Sequence, residues 1–133
     1  MAICFVAMPW GVPFDAYYKV VARGLAQAGM EPVRADDIDR PRAIRDQIGT
    51  GVAEAALCVI DVTGRSVTCM YALGLVHGLG KPMVLLSQNE ADLPFDLRFV
   101  QHLTYRPGTA RWEDMLALQL QTAVRDATDR TNP

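Results

Sequence analysis

Three short runs of this chain are apolar almost throughout: AICFVAM (2–8), ALCVIDV (56–62) and PMVLLS (82–87). A strand with one face in water alternates apolar and polar residues; these runs have no polar face to offer. They are expected inside a sheet covered on both sides. The stretches between them have the length and apolar spacing of helices. Residues 15–29 predict a helix that stops at Gly29, and residues 40–55 a second, with Pro41 in its first turn and Ile44, Ile48 and Val52 on its buried face. A third helix is predicted over 67–80, stopped by Gly80 and Pro82, and a closing amphipathic one over 110–128. Two weaker strands complete the pattern. MEPVRA (30–35) carries Pro32, which places it near an edge, and HLTYR (102–106) follows the loop QNEADLPFDLR.

Strands alternating with helices imply right-handed crossovers and a parallel sheet between two helical layers. The expected fold is α/β: a flavodoxin-like (Rossmann-like) three-layer sandwich with a five-stranded, mainly parallel sheet in the order 2-1-3-4-5, forming a single domain over residues 1–133. No repeat, linker or low-complexity tract interrupts it. A net charge of −2 without a basic cluster argues against duplex nucleic acid and anionic membrane as partners. No apolar run approaches the roughly 20 residues of a membrane span. The N-terminus lacks a basic leader and reads as a strand, so a cytoplasmic location is expected. Cys4, Cys58 and Cys69 form no CxxC pair and read as buried, reduced thiols. Cys69, His77 and His102 are too few and too widely spaced for zinc.

The expected strand order locates a site. Winding reverses between the first and third strands, and ligands bind beyond the strands' carboxyl ends at such a point. The loops there are Met8–Phe14 and Asp61–Ser66. In the first, Met8, Pro9, Trp10, Gly11 and Phe14 are the candidate contacts. Gly11 allows close backbone approach, and Trp10 and Phe14 either wall a planar ring such as a nucleobase or cap the core. In the second, Asp61 ends an apolar strand and must reach the cleft or be hydrogen-bonded; ribose hydroxyls and loop amides are both candidate partners. Gly64, Arg65 and Ser66 precede a helix. Ser66 suits its N-cap, the free amides of a helix start suit a phosphate, and Arg65 either adds charge there or is simply solvated. Cys69 and His77 lie about two helical turns apart, too far for a nucleophile and its base.

Read together, FVAMPWG, VRADDI, AALCVIDVTGR, MYALGLVHGLGKPMVLLSQ and LPFDLR resemble the nucleoside 2-deoxyribosyltransferase-like family, whose relatives include nucleoside 5′-monophosphate N-glycosidases and TIR-like defence domains. The resemblance spans about residues 3–105 and implies the fold derived above. It also implies cleavage or exchange of the N-glycosidic bond of a nucleoside or nucleotide, with no cofactor and no metal. The family's fourth segment usually reads NVxYELGxAxxxGKP, its glutamate supplying a carboxylate to an oxocarbenium-like transition state, as in glycoside hydrolysis. Here that position is Ala72. The resemblance assigns Asp61 to sugar hydroxyls and Ser66 to phosphate, and the family's usual NPNV is SVTC here, a second departure.

Alanine cannot serve as nucleophile, acid or base. Either Ala72 is an engineered Glu→Ala change, favoured by the intact MY and LGL around it, or the chain is a natural pseudoenzyme, favoured by SVTC. The expected function is thus hydrolysis of the base–ribose bond of a nucleoside 5′-monophosphate, here in an inactive Glu-to-Ala form. The alternatives are a nucleotide-binding or TIR-like module without catalysis and a nucleoside 2-deoxyribosyltransferase. Family likeness also implies a homodimer.

Overall fold

The computed structural model describes residues 2–34, 41–94, 97 and 100–131. The elements run β1 (Ala2–Ala7), α1 (Val12–Gln27), β2 (Met30–Arg34), α2 (Pro41–Glu54), β3 (Leu57–Asp61), α3 (Val67–Gly78), β4 (Met83–Ser87), β5 (His102–Thr104) and α4 (Trp112–Thr131), with single 3₁₀ turns at Thr63–Arg65 and Glu90–Asp92. The sheet order is β2-β1-β3-β4-β5 and every neighbouring pair is parallel. Order and parallel direction agree with the sequence reading, and Pro32 does lie on an edge strand. The last residue of the second predicted strand, the first of the second predicted helix, and parts of VRADDI and LPFDLR lie outside the described residues, as does the side chain of Ile44.

Every residue of β3 and β4 is buried. Their side chains alternate between two cores. Val6, Leu57, Val59, Val84 and Leu86 pack under α1 and α4 with Val21, Leu25 and Leu120. Phe5, Cys58, Ile60 and Leu85 pack under α2 and α3 with Ile48, Val52 and Val76. Each fully buried Val, Leu, Ile or Phe contributes roughly 1.5–3 kcal/mol relative to exposure, so the sandwich is held from both faces. Lys81 fastens the α2 end by donating from Nζ to the carbonyls of Ala53 and Ala55, at 3.0 and 2.9 Å. A cation at a helix C-terminus also meets a favourable dipole.

Two boundaries differ from the sequence reading. Helix α1 begins at Val12 rather than 15, because Pro13 in its first turn pre-sets a helical φ and Gly11 turns the chain into it at φ 122°, ψ 166°. Phe14 is therefore helical. The TGR stretch is a 3₁₀ turn rather than open loop, with Gly64 at φ 71°.

Helices α1 and α4 meet closely at Gly24. A Cβ there would stand 2.9 Å from Ala117 Cα and 3.2 Å from its carbonyl oxygen, whereas a Cβ at Gly49 in α2 would meet nothing within 4 Å. Alanine is the better helix former by about 1 kcal/mol, so the two sites should respond with opposite sign. Gly24→Ala is expected to destabilise by about 1–3 kcal/mol through overpacking. Gly49→Ala is expected to stabilise by roughly 0.5–1 kcal/mol. Urea unfolding midpoints at unchanged m-value measure both.

Candidate functional site

At the switch point the chain leaves β1 and β3 side by side at the carboxyl edge of the sheet. Asp61, the last residue of β3, is fully buried. Alternation along the strand turns it to the α1/α4 side. Its Oδ1 accepts the Thr63 amide at 2.9 Å and its Oδ2 accepts the Tyr105 hydroxyl. Gln88 closes the network: its side-chain amide donates to Tyr105 Oη at 3.2 Å and its backbone amide to Thr63 Oγ1 at 3.0 Å. Burial pushes the Asp61 carboxyl above its ordinary value, against the opposing hydrogen bonds from Thr63 and Tyr105. Burial first, then the adjacent Asp61 charge, pushes the Tyr105 hydroxyl up. Tyr105 also sits in an aromatic cluster, stacked on Trp112 with centroids 6.2 Å apart and edge-on to Tyr17 at 5.9 Å.

The turn after β3 is held from outside. The Gly64 amide donates to Asp92 Oδ2 at 2.9 Å, and Arg65 donates from Nη2 to the Ala91 carbonyl at 2.7 Å and from Nε to that of Asp92 at 3.4 Å. Ser66 then caps α3, its Oγ accepting the Cys69 amide at 3.3 Å. The amides of Val67 and Thr68, at the first two positions of the helix, have no intrahelical partner by the geometry of a helix start. The Ser66 hydroxyl also hydrogen-bonds the Cys69 thiol, which lowers that thiol's pKa against the effect of burial.

In the first loop Met8 is buried in the α1/α4-side core. Arg34, at the end of β2, reaches into this loop. It donates to the Pro9 carbonyl at 3.1 Å, pairs with Asp15 at 3.0 Å, and lies 4.9 Å from the Trp10 ring centroid and 5.0 Å from that of Tyr18. Its Nε is buried without a partner among the described residues. Trp10 leans on the α2/α3-side core, while Phe14 packs into the other core against Tyr17 at 5.3 Å. The two aromatics, read from sequence as either a wall for a planar ring or caps on the core, thus lean on opposite cores.

Ala72 is fully buried on the inner face of α3 in the α2/α3-side core. It and Asp61 thus belong to opposite faces of the sheet. A longer side chain at position 72 would lean toward the helix N-terminus, as helical side chains do, and hence toward the cleft edge. Cys4, Cys58 and Cys69 are free and buried. Burial pushes the Cys58 and Cys69 thiols up to about 11, so they stay protonated and unreactive. His77 lies exposed on the same helix.

Pro9, Trp10 and Gly11 follow β1 and Gly64, Arg65 and Ser66 follow β3 at the carboxyl edge of the sheet, while Asp61 and Met8 are buried and Phe14 packs against the α1/α4-side core. Sequence reasoning missed Arg34, Gln88, Asp92 and Tyr105. Each acts through a partner 17 or more residues away, a separation at which no spacing rule applies. The signal within reach was an arginine ending an edge strand beside the cleft.

The fold is an open parallel α/β sandwich with a single reversal of winding between β1 and β3, the architecture of flavodoxin-like proteins. No protein-family model matches the chain, and no curated protein matches it. Several solved structures share its fold. The CMP N-glycosidase BcmB of Clostridium botulinum superposes with a TM-score of 0.66 at 15% identity, covering 90% of this chain and 98% of that one. A 2-deoxyribosyltransferase of Bacillus psychrosaccharolyticus gives 0.61 at 14%, covering 86% and 90%. The Leishmania mexicana 2-deoxyribosyltransferase gives 0.59 at 18%, and here the match spans 67% of this chain and 66% of the enzyme. At 14–18% identity these likenesses show a shared fold.

Asp61 supplies a measurable signature. Because its folded-state pKa is raised, the native chain holds this proton more tightly than the unfolded chain. The stability it contributes is full below the ordinary value of 3.8 and is lost as pH rises through the folded value. Other carboxylates change stability over the same range, so the test is the difference between the chain and Asp61→Asn. The parent is expected to lose stability relative to the variant as pH rises from 4 towards neutrality. Parallel pH–stability curves from urea unfolding would show instead that Asp61 titrates alike in both states.

Proposed function

We propose that this protein binds a nucleoside 5′-monophosphate at the switch point, and that its parent chemistry is hydrolysis of the base–ribose bond, absent from the chain as written. The observation that supports the reading is the start of α3, where Ser66 caps the helix at the carboxyl edge of the sheet beside the point where winding reverses, and the first two helical amides have no intrahelical partner. Such a helix start favours an anion of phosphate size. On the opposite side, Trp10 offers a half-buried ring backed by Arg34 for a base. The fold shared with a CMP N-glycosidase supports the choice of bond. Hydrolysis of that bond asks for a carboxylate near the anomeric carbon, and the buried methyl of Ala72 supplies none.

The reading extends to assembly and place. A homodimer is supported by α3, which carries no charged side chain over 67–78 and leaves Val67 and Tyr71 exposed beside the cleft. A cytoplasmic location accords with three free cysteines, and among the described residues no helix is long and apolar enough to cross a membrane. Light scattering at micromolar concentration is expected to give twice the 14.6 kDa chain mass; a monomer overturns the dimer.

Two substitutions test the site. Ser66→Ala is expected to weaken monophosphate binding by about 1 kcal/mol or somewhat more, while leaving nucleoside binding unchanged in calorimetry. Equal affinity of the parent for monophosphate and nucleoside overturns the phosphate site. Ala72→Glu is expected to release free base from at least one common ribo- or deoxyribonucleoside monophosphate, at a rate orders of magnitude above the parent chain, since a single carboxylate contributes several kcal/mol to such a barrier. A folded, ligand-binding Ala72→Glu variant that releases no base sinks the enzymatic reading and leaves a binding module.

A further inference from the structure

We propose that Asp92 is a specificity-determining residue: its carboxylate occupies the anion position of the Thr63–Ser66 turn and sets how well a phosphate-bearing ligand binds relative to a neutral one. The proposal rests on the nucleotide reading of the cleft given above. It begins with backbone geometry. Gly64 and Arg65 are both left-handed, at φ 71° and 53°. Arg65 is not glycine, so this conformation is strained and persists because its surroundings hold it. Of the amides in this turn, that of Thr63 goes to Asp61 and that of Arg65 to the Val62 carbonyl, which leaves that of Gly64 for an anion. The anion found there is the protein's own: the Gly64 amide donates to Asp92 Oδ2 at 2.9 Å.

The carboxylate is delivered by a rigid element. Asn89 caps the Glu90–Asp92 turn, its Oδ1 accepting the Ala91 amide at 3.0 Å, and Leu93 anchors the far end in the core. Arg65 binds the same turn through the carbonyls of Ala91 and Asp92. The guanidinium is thereby spent on the neutral carbonyl oxygens of Ala91 and Asp92. Two donors that the sequence offers to a phosphate, the Gly64 amide and Arg65, are thus already engaged.

A consequence for ligand choice follows from charge alone. A phosphate arriving at Ser66 and the α3 start meets the Asp92 charge across Gly64. It must bind against that repulsion or displace Asp92 from the amide. A sugar hydroxyl meets neither cost and finds a carboxylate acceptor nearby. Asp92 therefore lowers the preference for the monophosphate over the nucleoside without touching the N-glycosidic bond. Asp92→Asn keeps the shape and one acceptor oxygen for Gly64 but removes the charge.

The test is calorimetric titration of the parent chain, Asp92→Asn and Asp92→Ser with the common ribonucleoside 5′-monophosphates and the matching nucleosides. The ratio of monophosphate to nucleoside affinity is expected to rise roughly fivefold in Asp92→Asn, the scale of a partly exposed charge pair. In ¹H–¹⁵N spectra the Gly64 amide of the parent should shift on adding monophosphate and stay put on adding nucleoside. An unchanged or lower ratio in both variants, with nucleoside still bound, overturns the role of Asp92 and leaves the cleft reading standing. Absence of binding by parent and variants alike overturns the cleft reading, and this proposal with it.

Discussion

The central strands of this protein have no polar face, and the remaining structure answers that constraint. With β3 and β4 buried along their whole lengths, helices must lie on both sides of the sheet, and parallel pairing with crossover helices supplies them. The same winding obliges the chain to change direction once, between β1 and β3. Two loops are left there at the carboxyl edge, where ligands of such sheets bind. The location of the proposed site thus follows from how the apolar strands are covered.

Asp61 marks the point where this apolar economy is interrupted. A carboxylate taken wholly out of water is costly unless its oxygens are satisfied. The Thr63 amide and the Tyr105 hydroxyl satisfy them, and Gln88 ties both donors together. The network joins the ends of β3 and β4 to Tyr105, just past β5, so it splices the three strands where the sheet would otherwise fray. It also fixes the turn from which α3 begins. A structural role in positioning the cleft is visible in the geometry, and it is compatible with the family assignment of this residue only if a ligand rearranges the bonds it now makes.

Position 72 shows what the core asks of a residue on the inner face of α3. Alanine is the best helix former and leaves no polar atom to satisfy. In the α2/α3-side core it sits among Ile60, Val62 and Val76 without demanding anything of them. A glutamate there would require a partner or solvent access in the same place, as active-site carboxylates generally do.

The sequence by itself determined the fold. Apolar runs at 56–62 and 82–87, a proline in an edge strand, and glycines at 29 and 80 specify burial, edge and helix ends through local rules, and these rules hold regardless of what lies across the sheet. The serine cap of α3 was legible for the same reason, since its partner is three residues away. The character of the site was decided elsewhere. Trp10 is backed by Arg34, Gly64 is held by Asp92 and Asp61 by Tyr105, over separations of 24, 28 and 44 residues. Those pairings exist only because the strands carrying them lie side by side at one edge of the sheet. Whether a loop amide is open to a ligand or filled by the protein's own carboxylate is a question of tertiary distance, and no periodicity along the chain encodes it.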